Sequence, residues 1–145
     1  MQDAFTFFHP LRVRWNECDA QGIVFNVNYF LYYDIGVFEW NRALGYDMGS
    51  APELLTVRAE ADFKASAVFD DELLVGMRCA RIGNKSMQVA GIILKGTDPA
   101  TASVLNVGML TYVYVEKGTT KTAPLDPALI ARIEGYEKTP PTRGS

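Results

Sequence analysis

The most constraining feature of the sequence is a long apolar segment with helical periodicity between residues 28 and 44. Its apolar residues recur at spacings of three and four, which predicts an amphipathic α-helix with two neighbouring stripes. Because both stripes are apolar, we expect protein to enclose most of this helix. Gly36 lowers helix propensity by roughly 1 kcal/mol relative to alanine, so we interpret it as a point of close packing. The stripes are Phe30, Tyr33, Val37, Trp40 and Leu44, and Leu31, Ile35 and Phe38.

The ends of the helix carry residues typical of helix termini. Asn26 or Asn28 suits the N-cap position, where a side-chain oxygen accepts from a free backbone N–H. Gly45 suits the residue just past the C-terminus, which often adopts a left-handed conformation. A second, short helix is predicted over Asp126–Ile133.

Alternation of apolar and polar residues predicts β-strands on both sides of the long helix. One half-buried strand precedes it and four follow, joined by short turns. Short turns make the sheet mainly antiparallel, and one long helix against such a sheet gives an α+β fold. The predicted strands are Leu11–Asn16, 57–64, Leu73–Ile82, Met87–Leu94 and Val104–Val115.

Length and composition indicate one ordinary globular domain over residues 1–137. Residues 138–145 hold two prolines and a glycine and are expected to form an unordered tail. A net charge of −3 gives no support for a nucleic-acid partner. No apolar run reaches the roughly 20 residues that span a bilayer, and residues 1–4 lack features of a secretion signal, so we expect a cytoplasmic protein. Since one helix cannot cover five strands, we expect a homodimer or an oligomer of dimers.

Several common catalytic arrangements are absent from the sequence. His9 is the single histidine, and no G-x-S-x-G motif accompanies it, which argues against a catalytic triad. Phosphate-binding glycine motifs and metal-ligand spacings are also lacking, so we expect no metal and no nucleotide cofactor. Cys18 has no neighbouring base to activate it and is expected to be a packed thiol. The remaining chemistry rests on carboxylates, amides, hydroxyls and backbone N–H groups.

The segment between residues 14 and 33 places one carboxylate ahead of the helix. Asp19 follows a strand pattern, and Gly22 predicts a turn directly after it. The carboxylate is either a turn cap or a chemical group, and the residues alone favour the turn cap. Glu17 is a competing carboxylate that we expect to be solvated, because glutamate is rarely buried.

The stretch C-D-A-Q-G-I-V-F-N-V-N-Y, from Cys18 to Tyr29, resembles the signature of hotdog-fold acyl-CoA thioesterases of the 4-hydroxybenzoyl-CoA thioesterase family. The similarity extends more weakly over most of Leu11 to Val115. It implies a long central helix wrapped by a curved five-stranded antiparallel sheet, with active sites at a dimer interface. The matching positions are Asp19, Gly22, Val24 and Tyr29.

The resemblance implies hydrolysis of a thioester to a free acid and a thiol, usually coenzyme A. Asp19 takes the position of the catalytic carboxylate, acting as nucleophile through a mixed anhydride or as general base on water. The backbone N–H of Asn26, near the helix N-terminus, would stabilise the developing oxyanion. Asn26 stands where relatives often have histidine or tyrosine, and its amide cannot act as a general base.

The resemblance also implies substrate contacts. Gly22 and Tyr29 border the site, with packing as the alternative for Tyr29, and Lys85 and Ser86 lie near the phosphates of coenzyme A or form an exposed hairpin. Coenzyme A is then part of the substrate and no separate cofactor is implied. Weaker candidates are Arg58 and Arg81 for the phosphates, and Asp34 and Glu39, which face either an acyl pocket or solvent.

Three questions stay open at this level. The acyl group is undetermined, since the aromatic residues of the helix line an aryl pocket or fill the core. An acyl-carrier protein is an alternative donor of the thioester. A non-catalytic dimer that binds an acyl group or another protein is the alternative to an enzyme.

Overall fold

The computed structural model describes residues 1–144 and consists of two α-helices and a six-stranded sheet. Short 3-10 turns over Gln2–Ala4 and Trp15–Glu17 complete the regular structure. The α+β class predicted from the sequence is confirmed. The elements are β1 (Phe7–Arg12), α1 (Asn28–Ala43), β2 (Leu54–Phe63), β3 (Glu72–Ile82), β4 (Ser86–Lys95), β5 (Ser103–Tyr114), α2 (Pro127–Tyr136) and β6 (Thr142–Arg143).

The sheet has the strand order β1-β3-β4-β5-β2, and every pair along this path is antiparallel. Helix α1 contacts β1 and β3 on one face. Five of the strands correspond to the predicted five, and β6, which pairs with β3 in parallel, was missed. Two residues are too few to produce a periodic pattern, so the sequence could not indicate β6.

The first apolar stripe of α1 packs against the sheet as predicted. A Cβ atom on Gly36 would lie 2.7 Å from Cγ1 of Val75, so the glycine allows the close approach of helix and sheet. Gly91 and Gly108 face each other in the β4–β5 pair, and the ring of Tyr33 fills the space that their missing side chains leave. The Tyr33 hydroxyl donates to Oδ1 of Asn106 at 2.6 Å, with both residues buried.

The second stripe of α1 is only partly enclosed within the single chain. Leu31 is 43% exposed and Phe38 is 40% exposed, because this stripe turns away from the sheet. The N-cap prediction is wrong. Val27 occupies that position without a side-chain hydrogen bond, since the Asn28 side chain donates to the carbonyl of Glu17 instead. Gly45 has φ +98 just past the helix, as predicted.

The first strand is shifted from its predicted position. It ends at Arg12, and residues 15–17 form a 3-10 turn instead of continuing the strand. Trp15 is therefore 71% exposed rather than half-buried, and its ring meets Phe69 edge-on. The physical reason is the side chain of Glu17, which accepts from the backbone N–H of Arg14 and closes the turn.

Strand β2 forms one edge of the sheet and is exposed along almost its whole length. Val57 is 58% exposed and Phe63 is 49% exposed, although their alternation predicted a buried face. The pattern identified the strand correctly, but little of the described chain covers the face that carries these side chains, although the Phe63 ring meets Tyr29 with ring centroids 5.4 Å apart.

The chain beyond α2 makes specific contacts, whereas its prolines predicted an unordered tail. The Lys138 N–H donates to the Thr6 hydroxyl at 2.9 Å, and the Thr139 hydroxyl donates to the Ala4 carbonyl at 2.9 Å. Pro141 is buried, and β6 then pairs with the end of β3. Ser145, the last residue of that predicted tail, lies outside the described residues.

Helix α2 begins as predicted, with Asp126 as N-cap accepting from the Ala128 N–H at 3.0 Å and Pro127 in the first turn. It ends at Tyr136, three residues later than predicted, and buries Leu129 and Ile133 in the core. Within residues 1–144, neither helix has the length and apolar character that crossing a membrane requires.

Candidate functional site

Asp19 lies in a tight hairpin between β1 and α1. The Asp19 N–H donates to the carbonyl of Ile23 at 2.8 Å, and the Gly22 N–H donates to the carbonyl of Asp19 at 3.0 Å. Gly22 has φ +80, a conformation that glycine adopts at little cost. An isolated bridge between Cys18 and Val24 continues the ladder below the turn. The sequence thus correctly predicted a glycine turn after the carboxylate.

The hairpin packs on the end of the sheet at which β3 begins. The Val24 N–H donates to the carbonyl of Ala67 at 2.9 Å, and Ile23 forms a bridge with Val68. Tyr29 is 2% exposed, and its hydroxyl accepts from the Ala67 N–H at 3.0 Å. Tyr29 therefore fixes the connection on which the hairpin rests, in accordance with the packing alternative.

The Asp19 carboxylate has one oxygen engaged and one oxygen free. Oδ1 accepts from the backbone N–H of Gln21 at 2.8 Å, which is the turn-capping contact that aspartate commonly makes. No donor within residues 1–144 reaches Oδ2, and the residue is half-buried. Asp19 thus caps the turn and still presents an oxygen for chemistry. Its role as the catalytic carboxylate stays a prediction.

Free backbone donors lie at the start of α1. The first turn is closed by the Asn28 N–H, which donates to the carbonyl of Phe25 at 2.8 Å. Among the described residues, no backbone acceptor meets the N–H groups of Asn26 and Val27, and both residues are exposed. The partial positive charge of a helix N-terminus adds to these donors. The arrangement can bind a negatively charged or polarised oxygen.

Glu17 is buried and hydrogen-bonded, so the expectation of a solvated strand end is wrong. It is 5% exposed, and its carboxylate accepts from Arg14 and from the hydroxyl of Tyr32. Burial raises the pKa of the Glu17 carboxyl, but the hydrogen bonds from Arg14 and Tyr32 outweigh burial and hold the pKa below its ordinary value. Arg14 three residues ahead was the available signal, since a tight turn brings such a pair together.

Lys85 and Ser86 lie at the opposite end of the sheet. They belong to the turn between β3 and β4, where the Gly83 N–H donates to the carbonyl of Ser86 at 2.8 Å. Strand β3 has 11 residues, so at the usual rise per residue it separates the two ends by roughly 30 Å. The structure therefore does not bring Lys85 and Ser86 to Asp19 within one chain. Arg81 lies near this turn, and Arg58 pairs with Glu60 at 2.6 Å.

The other weaker candidates from the sequence are Asp34, Glu39 and His9. Asp34 lines an open cavity of about 220 Å³ together with Phe38 and Tyr112, and partial burial raises the pKa of its carboxyl. Glu39 faces Arg42 on the same helix at 3.6 Å. His9 is half-buried on β1, where it lines a cavity with Arg14 and Tyr32. In residues 1–144, no three His, Cys, Asp or Glu side chains are grouped so that they could hold a metal ion.

Partly exposed apolar side chains lie around the hairpin and the start of α1. We call this the apolar rim, and its members are between 42% and 59% exposed. Exposed apolar groups gathered beside free polar groups are typical of a binding or association site. The rim consists of Phe25, Val27, Phe63, Val68 and Phe69.

Comparison with known proteins places this geometry in a family. The model of the thioesterase-like superfamily matches residues 13–133, which include the hairpin, α1 and the whole sheet apart from β1 and β6. The chain belongs to the thioesterase-like superfamily.

Solved structures of this type share the fold across most of the chain. The PA5185 protein of Pseudomonas aeruginosa superposes with a TM-score of 0.82 at 23% identity, covering 96% of both chains. A thioesterase of Thermus thermophilus, complexed with coenzyme A and Zn, gives 0.81 at 22% identity over 95% of this chain and 99% of that one. A mutant 4-hydroxybenzoyl-CoA thioesterase, complexed with 4-hydroxybenzoyl-CoA, gives 0.77 at 16% identity over 88% and 97%. The hotdog fold implied by the sequence signature agrees with these likenesses.

Proposed function

We propose that this protein is an acyl-CoA thioesterase that hydrolyses a thioester to a free acid and coenzyme A, with Asp19 as its catalytic carboxylate. The observation that carries the proposal is the free Oδ2 of Asp19 in a hairpin directly ahead of unpaired N–H groups at a helix N-terminus. A thioester needs both elements: a base or nucleophile, and donors for the oxyanion. Membership of the thioesterase-like superfamily supports the same reaction.

Two chemical routes use the same carboxylate. As nucleophile, Oδ2 attacks the carbonyl carbon, the C–S bond breaks, coenzyme A leaves as thiolate, and water hydrolyses the resulting anhydride. As general base, Asp19 removes a proton from the attacking water. In both routes the carbonyl oxygen becomes negative, and donors such as the N–H of Asn26 or Val27 stabilise it. One such donor typically contributes about 2.7–4 kcal/mol to transition-state stabilisation.

The side chain of Asn26 has a secondary role in this proposal. It is exposed, and an amide neither accepts nor releases a proton near neutral pH. The backbone N–H at the same position does not depend on the side chain. We therefore expect the side chain of Asn26 to influence which acyl group is preferred, while the N–H provides the donor.

The site is open on the side of the apolar rim, and a second copy of the chain is the proposed cover. Strand β2 has an unpaired edge within the described residues, and exposed edges favour pairing with another strand. Phe63, at one end of β2, contacts Tyr29 with ring centroids 5.4 Å apart. The edge and the rim are therefore continuous, and one dimer interface would cover both. A dimer, or a tetramer built from dimers, follows.

Antiparallel pairing of two β2 strands would also explain the position of Lys85. Leu54, at the far end of β2, pairs with Tyr114, whose N–H donates to the carbonyl of Lys85 at 2.8 Å. A two-fold axis through the β2 edge would bring the Leu54 end of one copy beside the Phe63 end of the other. Lys85 and Ser86 of one copy would then approach the Asp19 hairpin of the other and bind the phosphates of its substrate.

An aromatic acyl group is the first candidate substrate. The solved structure that contains 4-hydroxybenzoyl-CoA shares the fold. The cavity beside Asp34 lies at the Leu54 end of β2 and is lined by Phe38 and Tyr112, so in the proposed dimer it would approach the Asp19 hairpin of the other copy. A carboxylate at such a cavity would suit a hydroxyl on an aromatic ring. We also propose that the reaction takes place in the cytoplasm.

Steady-state hydrolysis of a panel of thioesters tests the proposal, with thiol release as the signal. The panel contains aromatic and aliphatic acyl-CoAs and the same acyl groups on an acyl-carrier protein. We expect turnover of at least one acyl-CoA, with aromatic groups preferred. Tight binding of acyl-CoA without thiol release would contradict the proposal and indicate a binding module. If only the carrier-protein thioesters were hydrolysed, the substrate would be an acyl-carrier-protein thioester and not an acyl-CoA.

A further inference from the structure

We propose that Glu17 is a positioning residue that fixes the Asp19 hairpin against the first turn of helix α1, and this inference rests on the proposed function. The Glu17 side chain makes no hydrogen bond to Asp19 and acts through the backbone between them. Among the candidate carboxylates of this segment, it is the buried one. Its contacts extend to the strand, the hairpin and the helix.

The main chain of Glu17 closes the base of the hairpin. Its carbonyl accepts from the Phe25 N–H at 3.0 Å, on the opposite arm. The same carbonyl accepts from Nδ2 of Asn28, in the first turn of α1, at 2.8 Å. Asp19 lies two residues beyond this point, and Asn26 directly follows Phe25. One carbonyl thus links the arm that carries the carboxylate with the arm that leads to the free donors.

The carboxylate of Glu17 determines where that carbonyl lies. Oε1 accepts from the backbone N–H of Arg14 at 2.8 Å and from the Tyr32 hydroxyl at 2.9 Å. Oε2 accepts from Nε of Arg14 at 2.9 Å and from Nη2 at 2.6 Å. Tyr32 is fully buried in α1. Four donors therefore hold one side chain between the end of β1 and the second turn of the helix.

The four donors also require the ionised form of the side chain. Every contact is an N–H or O–H pointing at an oxygen, which an ionised carboxylate satisfies with acceptors alone. Glutamine has nearly the same shape, but its NH₂ group would face a donor in either orientation. Glu17→Gln therefore disrupts this set of contacts while conserving volume. Small displacements matter at such a site, because a misplacement of about 1 Å costs about 100-fold in rate.

The test compares Glu17→Gln with Glu137→Gln in the full-length protein. Glu137 is a second buried glutamate, which accepts from the Cys79 N–H on β3, toward the end of the strand opposite the hairpin. For Glu17→Gln we expect kcat to fall about 10- to 100-fold with KM within about twofold. For Glu137→Gln we expect both constants within about twofold of wild type. On an Asp19→Asn background, Glu17→Gln should cause no further loss of kcat.

Hydrogen exchange provides a readout that does not depend on activity. The amides of Gly22 and Phe25 donate within the hairpin, so both should exchange faster in Glu17→Gln and at the wild-type rate in Glu137→Gln. If Glu17→Gln does not fold, Tyr32→Phe replaces it, since it removes one of the four donors and retains the ring. We expect the same pattern with a smaller loss, about threefold to tenfold in kcat.

Wild-type exchange in the hairpin of the variant would overturn the proposal. An equal loss of kcat in Glu137→Gln, or a full additional loss on the Asp19→Asn background, would also overturn it, because each indicates a general effect on the fold. If the wild-type protein hydrolyses no thioester, the proposed function fails, and hydrogen exchange alone then decides whether Glu17 holds the hairpin. The two failures are therefore distinguishable.

Discussion

Each end of the sheet holds a buried glutamate, and the two side chains are satisfied very differently. Glu17, at the end that carries Asp19, accepts four hydrogen bonds. Glu137, near the other end, accepts from the Cys79 N–H at 2.6 Å, and its Oε1 has no protein partner in the described chain. Burial raises the pKa of the Glu137 carboxyl to about 7, although the Cys79 N–H partly offsets this. The pKa of Glu17 lies below its ordinary value.

The difference shows which end of the molecule has the more firmly fixed geometry. A carboxylate with all its donors in place is charged and immobile over the physiological pH range, which suits a segment that must hold a reacting group still. A carboxylate with one donor exchanges a proton near neutral pH and holds the chain after α2 less firmly. We therefore expect changes around the Asp19 hairpin to alter activity, and changes at Glu137 and in helix α2 to alter stability.

The largest effect on stability should come from the ionisation of Glu137. The folded pKa of about 7 lies above the unfolded value near 4.3, so the folded state binds more protons between these pH values. Stability should therefore fall as pH rises from about 4.5 to about 8 and stay level above, by about 3 kcal/mol. Urea unfolding at pH 5 and pH 8 measures this. Glu137→Gln should lack the fall, and an unchanged pH dependence in that variant would contradict the comparison.

The next largest effect should be on KM, because Lys85 and Asp19 lie at opposite ends of the sheet within one chain. Lys85→Ala should raise KM for acyl-CoA about tenfold, through loss of a phosphate contact. Mixing this variant with Asp19→Asn under conditions that exchange subunits should restore a site with the wild-type KM. Such a site combines Asp19 of one copy with Lys85 of the other. Absence of a low-KM component after confirmed exchange would mean that Lys85 does not act across the interface.

The smallest effect should come from the cap of α2. Asp126→Ala removes the side-chain oxygen that accepts from the Ala128 N–H, and we expect a loss of about 1 kcal/mol in the free energy of unfolding. Because α2 packs away from the Asp19 hairpin, kcat and KM should not change. Thermal unfolding and steady-state kinetics on one preparation provide both values. A loss of activity with unchanged stability would contradict the prediction that helix α2 contributes to stability and not to activity.

Residues with a local signal were predicted well. The spacing of Tyr33, Val37 and Trp40 identified α1 and its buried face, and Gly36 indicated a close approach that the structure contains. Gly22 and Gly45 marked turns that need positive φ. These features depend on a few neighbouring residues, so the sequence carries them directly.

Features that depend on distant parts of the chain were missed. Glu17 is buried because Tyr32 and Arg14 supply donors, whereas residue statistics favour exposure. Val57 is exposed because little of the described chain covers its face of β2, and periodicity does not reveal what covers a face. Lys85 and Asp19 lie at opposite sheet ends, and a resemblance in sequence cannot indicate which copy of the chain contributes each.

The most direct test measures kcat/KM of wild type, Asp19→Asn and Glu137→Gln on the best acyl-CoA of the panel. Asparagine keeps the size of the side chain and an oxygen for the turn, but it can neither attack as a carboxylate nor accept a proton. We expect a loss of about 100-fold or more for Asp19→Asn and a change within about twofold for Glu137→Gln. Equal rates for wild type and Asp19→Asn on every substrate would contradict the catalytic role of Asp19.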